Sequence, residues 1–209
     1  ASVTTPLNLE MSVAEEIVYH DCSTGAADAS DIDLQLRQAE QHFTQAKALW
    51  SAAKMGAEAK IRAHLDNVKE ESPFSYGREI ILGLMDEVSG KPASAIVHAT
   101  RAQLLAPGPE RGDPRLLYWV AGLQAKAGDS RIAVRQFREL EKAIRAKSPV
   151  TAEVAGALGL PAAPSLEAVV LLQGELLAQR RHWGEAAEAY ARAVDEGIAN
   201  NQIMYQYAT

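Results

Sequence analysis

Residues 166–197, LEAVVLLQGELLAQRRHWGEAAEAYARAVDEG, decide how the rest of this 209-residue chain is read. The apolar residues recur at helical spacing on both sides of an RRHWG break, which predicts a helix, a tight turn and a second helix. Gly174 interrupts the first helix, where glycine costs about 1 kcal/mol relative to alanine. That cost predicts a packing reason, another backbone passing close by. Twelve residues on, Ala186, Tyr190 and Ala193 place small, large and small side chains along one face of the second helix.

Two upstream stretches repeat the pattern. In REIILGLMDEVSGKPASAIVHATRAQLLAP (78–107), Gly83 is followed twelve residues later by Ala95, then Ala99 and Ala102, with Pro107 as the stop. Ser89-Gly90-Lys91-Pro92 is a turn, and Pro92 suits the first position of a helix. In PRLLYWVAGLQAKAGDSRIAVRQFRELEKAI (114–144), Gly122, Gly128-Asp129, Ala133 and Phe137 take the same roles. Here glycine and alanine are eleven residues apart, which reads as a turn shortened by one.

These three stretches resemble the tetratricopeptide repeat, whose signature is W-x2-L-G-x2-Y, then A-x3-F, then P. The resemblance implies an all-α, right-handed α-solenoid of about four helix-turn-helix hairpins. The units span 31–72, 75–106, 115–147 and 165–197, followed by a short helix at 200–207, within a solenoid over 31–209. The implied packing positions are Gly83, Ala95, Ala102, Gly122, Ala133, Phe137, Gly174, Ala186, Tyr190 and Ala193. The alanine markers Ala95, Ala133 and Ala186 are 38 and 53 residues apart, against a family period of 34. Two insertions absorb the excess: PGPERGDP (107–114), and SPVTAEVAGALGLPAAPS (148–165) with a helical turn at 151–158.

Ahead of the repeats, residues 1–30 read as an acidic arm with one short helix near 11–20. Asp31 is the expected N-cap of a helix carrying Phe43, Ala46, Leu49 and Trp50, which Gly56 breaks. A second helix with Ile61, Leu65 and Val68 is expected to end at Ser72-Pro73. Residues 1–36 hold seven acids and no Lys or Arg, so the net charge of −6 leaves the remainder at +1. That balance speaks against nucleic acid or an anionic membrane as partner.

No apolar run approaches the ~20 residues that span a bilayer, so no membrane insertion is expected. The single cysteine, Cys22, forms no internal disulfide and fits a reducing compartment. No leader pattern is legible, although a start at Ala1 is also what removal of a methionine or signal sequence leaves. The compartment stays open, cytoplasm ahead of periplasm. His20, His42, His64, His98 and His182 are scattered, no phosphate loop or nucleophile elbow is present, and His20-Asp21-Cys22 lacks a second ligand group. The expectation is therefore a non-enzymatic protein with no cofactor and no metal.

In tetratricopeptide proteins the first helices of successive units line a concave groove for a partner. The corresponding residues are Ile80, Leu84 and Glu87; Leu116, Trp119, Leu123 and Lys126; and Leu171, Glu175, Ala178 and Gln179. Some members clamp a terminal carboxylate with Lys, Arg and Asn there, and the apolar Ile80, Leu84, Leu116 and Trp119 disfavour that mode. The groove instead suits an amphipathic helix or extended hydrophobic segment of a protein partner, or is covered by the chain's own arm or its tail (Ile203 to Tyr207). The resemblance implies a scaffold, adaptor or chaperone in a bacterial assembly or secretion complex. Its alternatives are a structural subunit that forms homo-oligomers through the solenoid ends, and an accessory domain of a larger enzyme complex. Arg131, Arg135, Arg138, Lys142, Arg145 and Lys147, with Arg180, Arg181 and Arg192, interleave with Glu139, Glu141, Glu185 and Glu188. They read as a solvated face laced by i,i+4 pairs, with reception of the chain's own acidic N-terminal arm, or of an acidic partner, as the alternative.

Overall fold

Three helix pairs close with one and the same turn in the computed structural model, which describes residues 23–146 and 153–197. The helices are α1 (Ser23–Ala53), α2 (Glu58–Leu65), α3 (Ser75–Val88), α4 (Pro92–Leu105), α5 (Pro114–Lys126), α6 (Ser130–Arg145), α7 (Glu153–Ala157), α8 (Leu166–Gln179) and α9 (Trp183–Asp195). Short 3₁₀ turns at Lys54–Ala57 and Gly108–Glu110 complete the elements, and no strand occurs among the described residues. The fold class is all-α. The expected helices near 11–20 and at 200–207 lie outside the described residues.

The shared turn follows from helix termination. Gly90, Gly128 and Arg181 each adopt a left-handed backbone, with φ of 71°, 85° and 62°. In each case the next amide reaches back to a carbonyl five residues earlier: Lys91 to Asp86 at 2.8 Å, Asp129 to Gln124 at 3.0 Å, His182 to Leu177 at 2.9 Å. This caps the last carbonyls of α3, α5 and α8 and reverses the chain. The following helices begin on Pro92, on the Asp129 side chain accepting from the Ile132 amide, and on His182.

Measured from these turn residues, the three pairs share one register. Ala95, Ala133 and Ala186 each stand five positions after the turn residue, and all three are buried. Gly83 and Gly174 each stand seven before it. The matching residue in the middle pair is Ala121, fully buried, and not Gly122. Gly122 is half-exposed, and a β-carbon there meets nothing within 4 Å, so its assignment as a packing glycine is corrected. The turn at Gly128 is of the same length as the others.

The chain divides into a unit of residues 1–35 and one of 36–209. In the first, α1 starts at Ser23, earlier than the Asp31 N-cap expected, because Ala26, Ala27 and Ala29 are strong helix formers. Ile32 and Leu34 are exposed there. In the second, α2 stops at Leu65, short of Ser72-Pro73. The Asn67 side-chain amide donates to the Ala63 carbonyl at 2.7 Å, a local bond that competes with continued helix.

Two apolar clusters fill the second unit. One joins Trp50, Ile61, Leu65 and the buried faces of α3 and α4 to Leu116, Trp119 and Leu123 of α5. The other joins Leu117 and Ala121 of α5 to Phe137, Leu140, Val169 and Tyr190. Helix α5 is thus apolar on two sides because it is packed on two sides. Ala155, Leu158 and Leu160, from the second insertion, belong to the first cluster. The Trp50 indole N–H donates to the Leu158 carbonyl at 2.9 Å, so this insertion is part of the core.

Candidate functional site

Five of the residues expected to line an apolar groove are interior. Ile80, Leu84, Leu116, Trp119 and Leu123 are all buried within the first cluster, and Trp119 is only 4% exposed. They are corrected from groove to core. The physical reason is that α3 is packed by α4, the segment around α2 and α7, while α5 is packed by α4, α6 and α7. The anticipated covers, the N-terminal arm and the C-terminal tail, lie outside the described residues. The observed companion of these side chains is the α7 segment, which touches both α3 and α5.

Trp119 has a specific seat. A β-carbon on Gly83 would stand 2.6 Å from its Cη2, and its indole N–H donates to Glu87 Oε2 at 2.8 Å. Lys126 Nζ donates to the other Glu87 oxygen at 2.6 Å. Glu87, Trp119 and Lys126 therefore do come together, as a strut between α3 and α5. In the last pair, Leu171 and Glu175 are half-buried and Gln179 is exposed. Of the packing residues, Gly83, Ala95, Ala102, Ala133, Phe137, Gly174, Ala186, Tyr190 and Ala193 are buried.

A charged cluster between α2, α3 and α4 was not legible beforehand. Glu79 and Asp86, both almost fully buried, flank His98: Nδ1 lies 2.7 Å from Glu79 Oε2 and Nε2 lies 3.6 Å from Asp86 Oδ2. Arg62 donates to Asp86 at 2.5 Å, Arg78 to Glu79 at 3.1 Å, and the Ser94 hydroxyl donates to Asp86. Burial pushes the Asp86 carboxyl up, but the Ser94 and Arg62 hydrogen bonds outweigh it and hold the group below the ordinary carboxylate range. The cluster ties three helices together. Among the described residues no group of three His, Cys, Asp or Glu is disposed to hold a metal ion, and no helix is long and apolar enough to cross a membrane.

An open concavity lies where α6 faces the α8–α9 turn. A cleft of about 930 Å³ is walled by Arg131, Arg135 and Arg138 on one side and by Arg180, His182 and Glu185 on the other. Val134 and Leu177, both buried, contribute apolar walls. Glu185 accepts from Arg138 at 3.3 Å and stands 3.0 Å from His182 Nδ1; His182, then Arg138, hold its carboxyl below the usual range. Alongside, Gln173 donates to Glu141 at 2.9 Å, and Arg145 bridges Glu141 and Glu196. The basic stripe is thus paired at Arg138, Lys142 and Arg145, although among these only Arg145 and Glu141 form one of the expected i,i+4 pairs. Arg131, Arg135 and Arg180 have no carboxylate partner among the described residues. The sequence showed the stripe on α6, but not that the α8–α9 turn faces it.

Comparison with known proteins adds no relative: no family model, no curated protein and no solved structure matches this chain.

Proposed function

We propose that this chain is a non-enzymatic protein-binding module, a right-handed α-solenoid of tetratricopeptide-like hairpins that serves as scaffold, adaptor or chaperone in a bacterial assembly or secretion complex. The observation that supports it best is the repeated hairpin: three left-handed turn residues, Gly90, Gly128 and Arg181, each followed five positions later by a buried alanine. Repeats of this kind bury their own apolar faces against neighbours and leave extended surfaces for partners. The partner surface in this reading is polar and solvent-facing, since the apolar positions once assigned to it are core.

The test is reconstitution. The chain is immobilised, retained proteins are identified, and the one present at a fixed ratio is remixed in purified form. A complex of defined stoichiometry by size exclusion with light scattering supports the module. Failure of every retained protein to form such a complex overturns it.

A second reading, a structural subunit that assembles with itself, is favoured by one observation. Ile32 and Leu34 on α1 are 65% and 55% exposed, which leaves two large aliphatic side chains for a second copy to cover. Reversible dimers across micromolar concentrations, lost in Ile32→Ser with Leu34→Ser, would establish it. A monomer throughout removes it.

A further inference from the structure

Resting on the module reading, we infer that the cleft between α6 and the α8–α9 turn binds an extended acidic segment of a partner protein. The argument starts from which charges are already answered. The Asp129 carboxylate is engaged in capping α6 through the Ile132 amide at 3.2 Å. Glu185 is engaged by Arg138 and His182. That leaves the guanidinium groups of Arg131, Arg135 and Arg180 lining one concavity with no carboxylate on any of them among the described residues. Three like charges around one hollow repel each other, and an anionic occupant relieves that repulsion.

Spacing narrows the occupant. Arg131 and Arg135 are one helical turn apart, about 6 Å along α6. In an extended peptide, side chains two residues apart point the same way at about 6.6 Å. Carboxylates at alternate positions therefore fall in step with the two arginines, and Arg180 closes from the opposite wall. Guanidinium groups hold carboxylates through paired N–H donors, and the apolar Leu177 and Val134 walls suit the methylene stems of Glu. The cleft opens beside the first turn of α6, whose amides add partial positive charge. A single-stranded nucleic acid is the poorer fit. Apart from the His182 ring no aromatic lines the cleft for base stacking, and the chain carries a net charge of −6.

Fluorescence anisotropy with the full chain and a dye-labelled octapeptide of alternating Glu and Ser tests this. Binding is expected at low salt and should weaken steadily as salt rises. Arg131→Glu with Arg135→Glu and Arg180→Glu, all exposed positions, should weaken it at least about tenfold with helical circular dichroism unchanged. Lys60→Glu with Lys91→Glu and Arg111→Glu makes the same change in net charge on other exposed positions and should leave affinity within about twofold. Equal loss in the two triple variants would reduce the effect to bulk charge and overturn the inference. So would no binding by the unmodified chain, or tighter, equally variant-sensitive binding of an oligothymidine. If the reconstituted partner complex survives the cleft reversals intact, the cleft inference falls and the module reading stands. If no partner complex forms while the octapeptide still discriminates the variants, the module reading falls alone.

Discussion

The ring of Tyr190 lies against the backbone of Gly174, so close that a β-carbon on Gly174 would stand 2.6 Å from the phenol oxygen and nearer still to the ring carbons. The sequence leads to the expectation of a passing backbone at this glycine; what it makes room for is an aromatic side chain of the partner helix. Gly174→Ala should therefore destabilise by about 1–2 kcal/mol, the overpacking strain exceeding the gain in helix propensity. In a Tyr190→Ala background the same substitution should become neutral or favourable. Urea unfolding of the four proteins in that cycle checks the coupling, and strict additivity would remove the contact from the account.

Gly122 is the converse case. Nothing stands within 4 Å of a β-carbon placed there, and the residue lies inside α5. Gly122→Ala should raise stability by about 0.5–1 kcal/mol, the ordinary advantage of alanine over glycine in a helix. A loss in thermal or urea unfolding would restore Gly122 as a packing position.

That pair shows what was legible in the chain. Helix periodicity, the places of the SGKP and GDS turns and the small-large-small ladder of Ala186, Tyr190 and Ala193 depend on local chemistry and match the structure, although the GDS turn is not shortened by one. The register of the middle pair did not, because counting from Gly122 assumes that the glycine is the residue at the helix contact. Counting from the left-handed turn residue gives Ala121. In the last pair that turn residue is Arg181, whose side chain carries no hint of a positive φ. The candidate site was less legible still. Leu158 and Leu160 stand some forty residues from Leu116 and Trp119, and nothing local says that this insertion packs with them in one core. Likewise the arginines of α6 were visible, but their meeting with Arg180 is a product of the α8–α9 turn.

Arg181 at φ 62° holds a conformation that costs an L residue roughly 1–2 kcal/mol and glycine almost nothing. Glycine's greater freedom in the unfolded chain takes back about 0.4–1 kcal/mol. Arg181→Gly should leave a net gain of up to about 1 kcal/mol and no change in helical circular dichroism. Since the neighbouring Arg180, and not Arg181, lines the cleft, octapeptide affinity should stay the same. Lower stability in the variant would mean that the Arg181 side chain does something that the turn geometry does not reveal.

Leu158 distinguishes a core insertion from a surface loop. It is 2% exposed, and its own carbonyl accepts the Trp50 indole N–H. Leu158→Ala should cost about 2–5 kcal/mol, the range for emptying a packed leucine site. A cost below about 0.5 kcal/mol, the scale of ordinary surface substitutions, would return the segment to the surface role expected of an insertion.

Asp113 gives the pH dependence a sign. The carboxyl is 1% exposed; one oxygen accepts the Arg115 amide at 2.9 Å and the other has no hydrogen-bonding protein group. Burial pushes this group up, only partly offset by the Arg115 amide and guanidinium, and the neighbouring Tyr76 phenol is pushed up by burial and then by Glu110 and Asp113. A carboxyl with a raised native value binds its proton more tightly folded than unfolded, so Asp113 weakens the fold above that value, and the penalty is lost progressively as the pH falls from it to the unfolded value. Asp86 and Glu141 act oppositely: both are lowered, so their stabilisation is complete at neutral pH and is lost as acid protonates them. Asp113→Asn keeps an oxygen for the Arg115 amide and removes the charge. It should stabilise the protein at pH 7, and the advantage should shrink as the pH is lowered into the carboxylate range, where the unsubstituted side chain is neutral too. Urea midpoints from pH 7 to pH 4 decide the matter, and an advantage independent of pH, or a loss at pH 7, would show that the buried charge of Asp113 is not what limits stability.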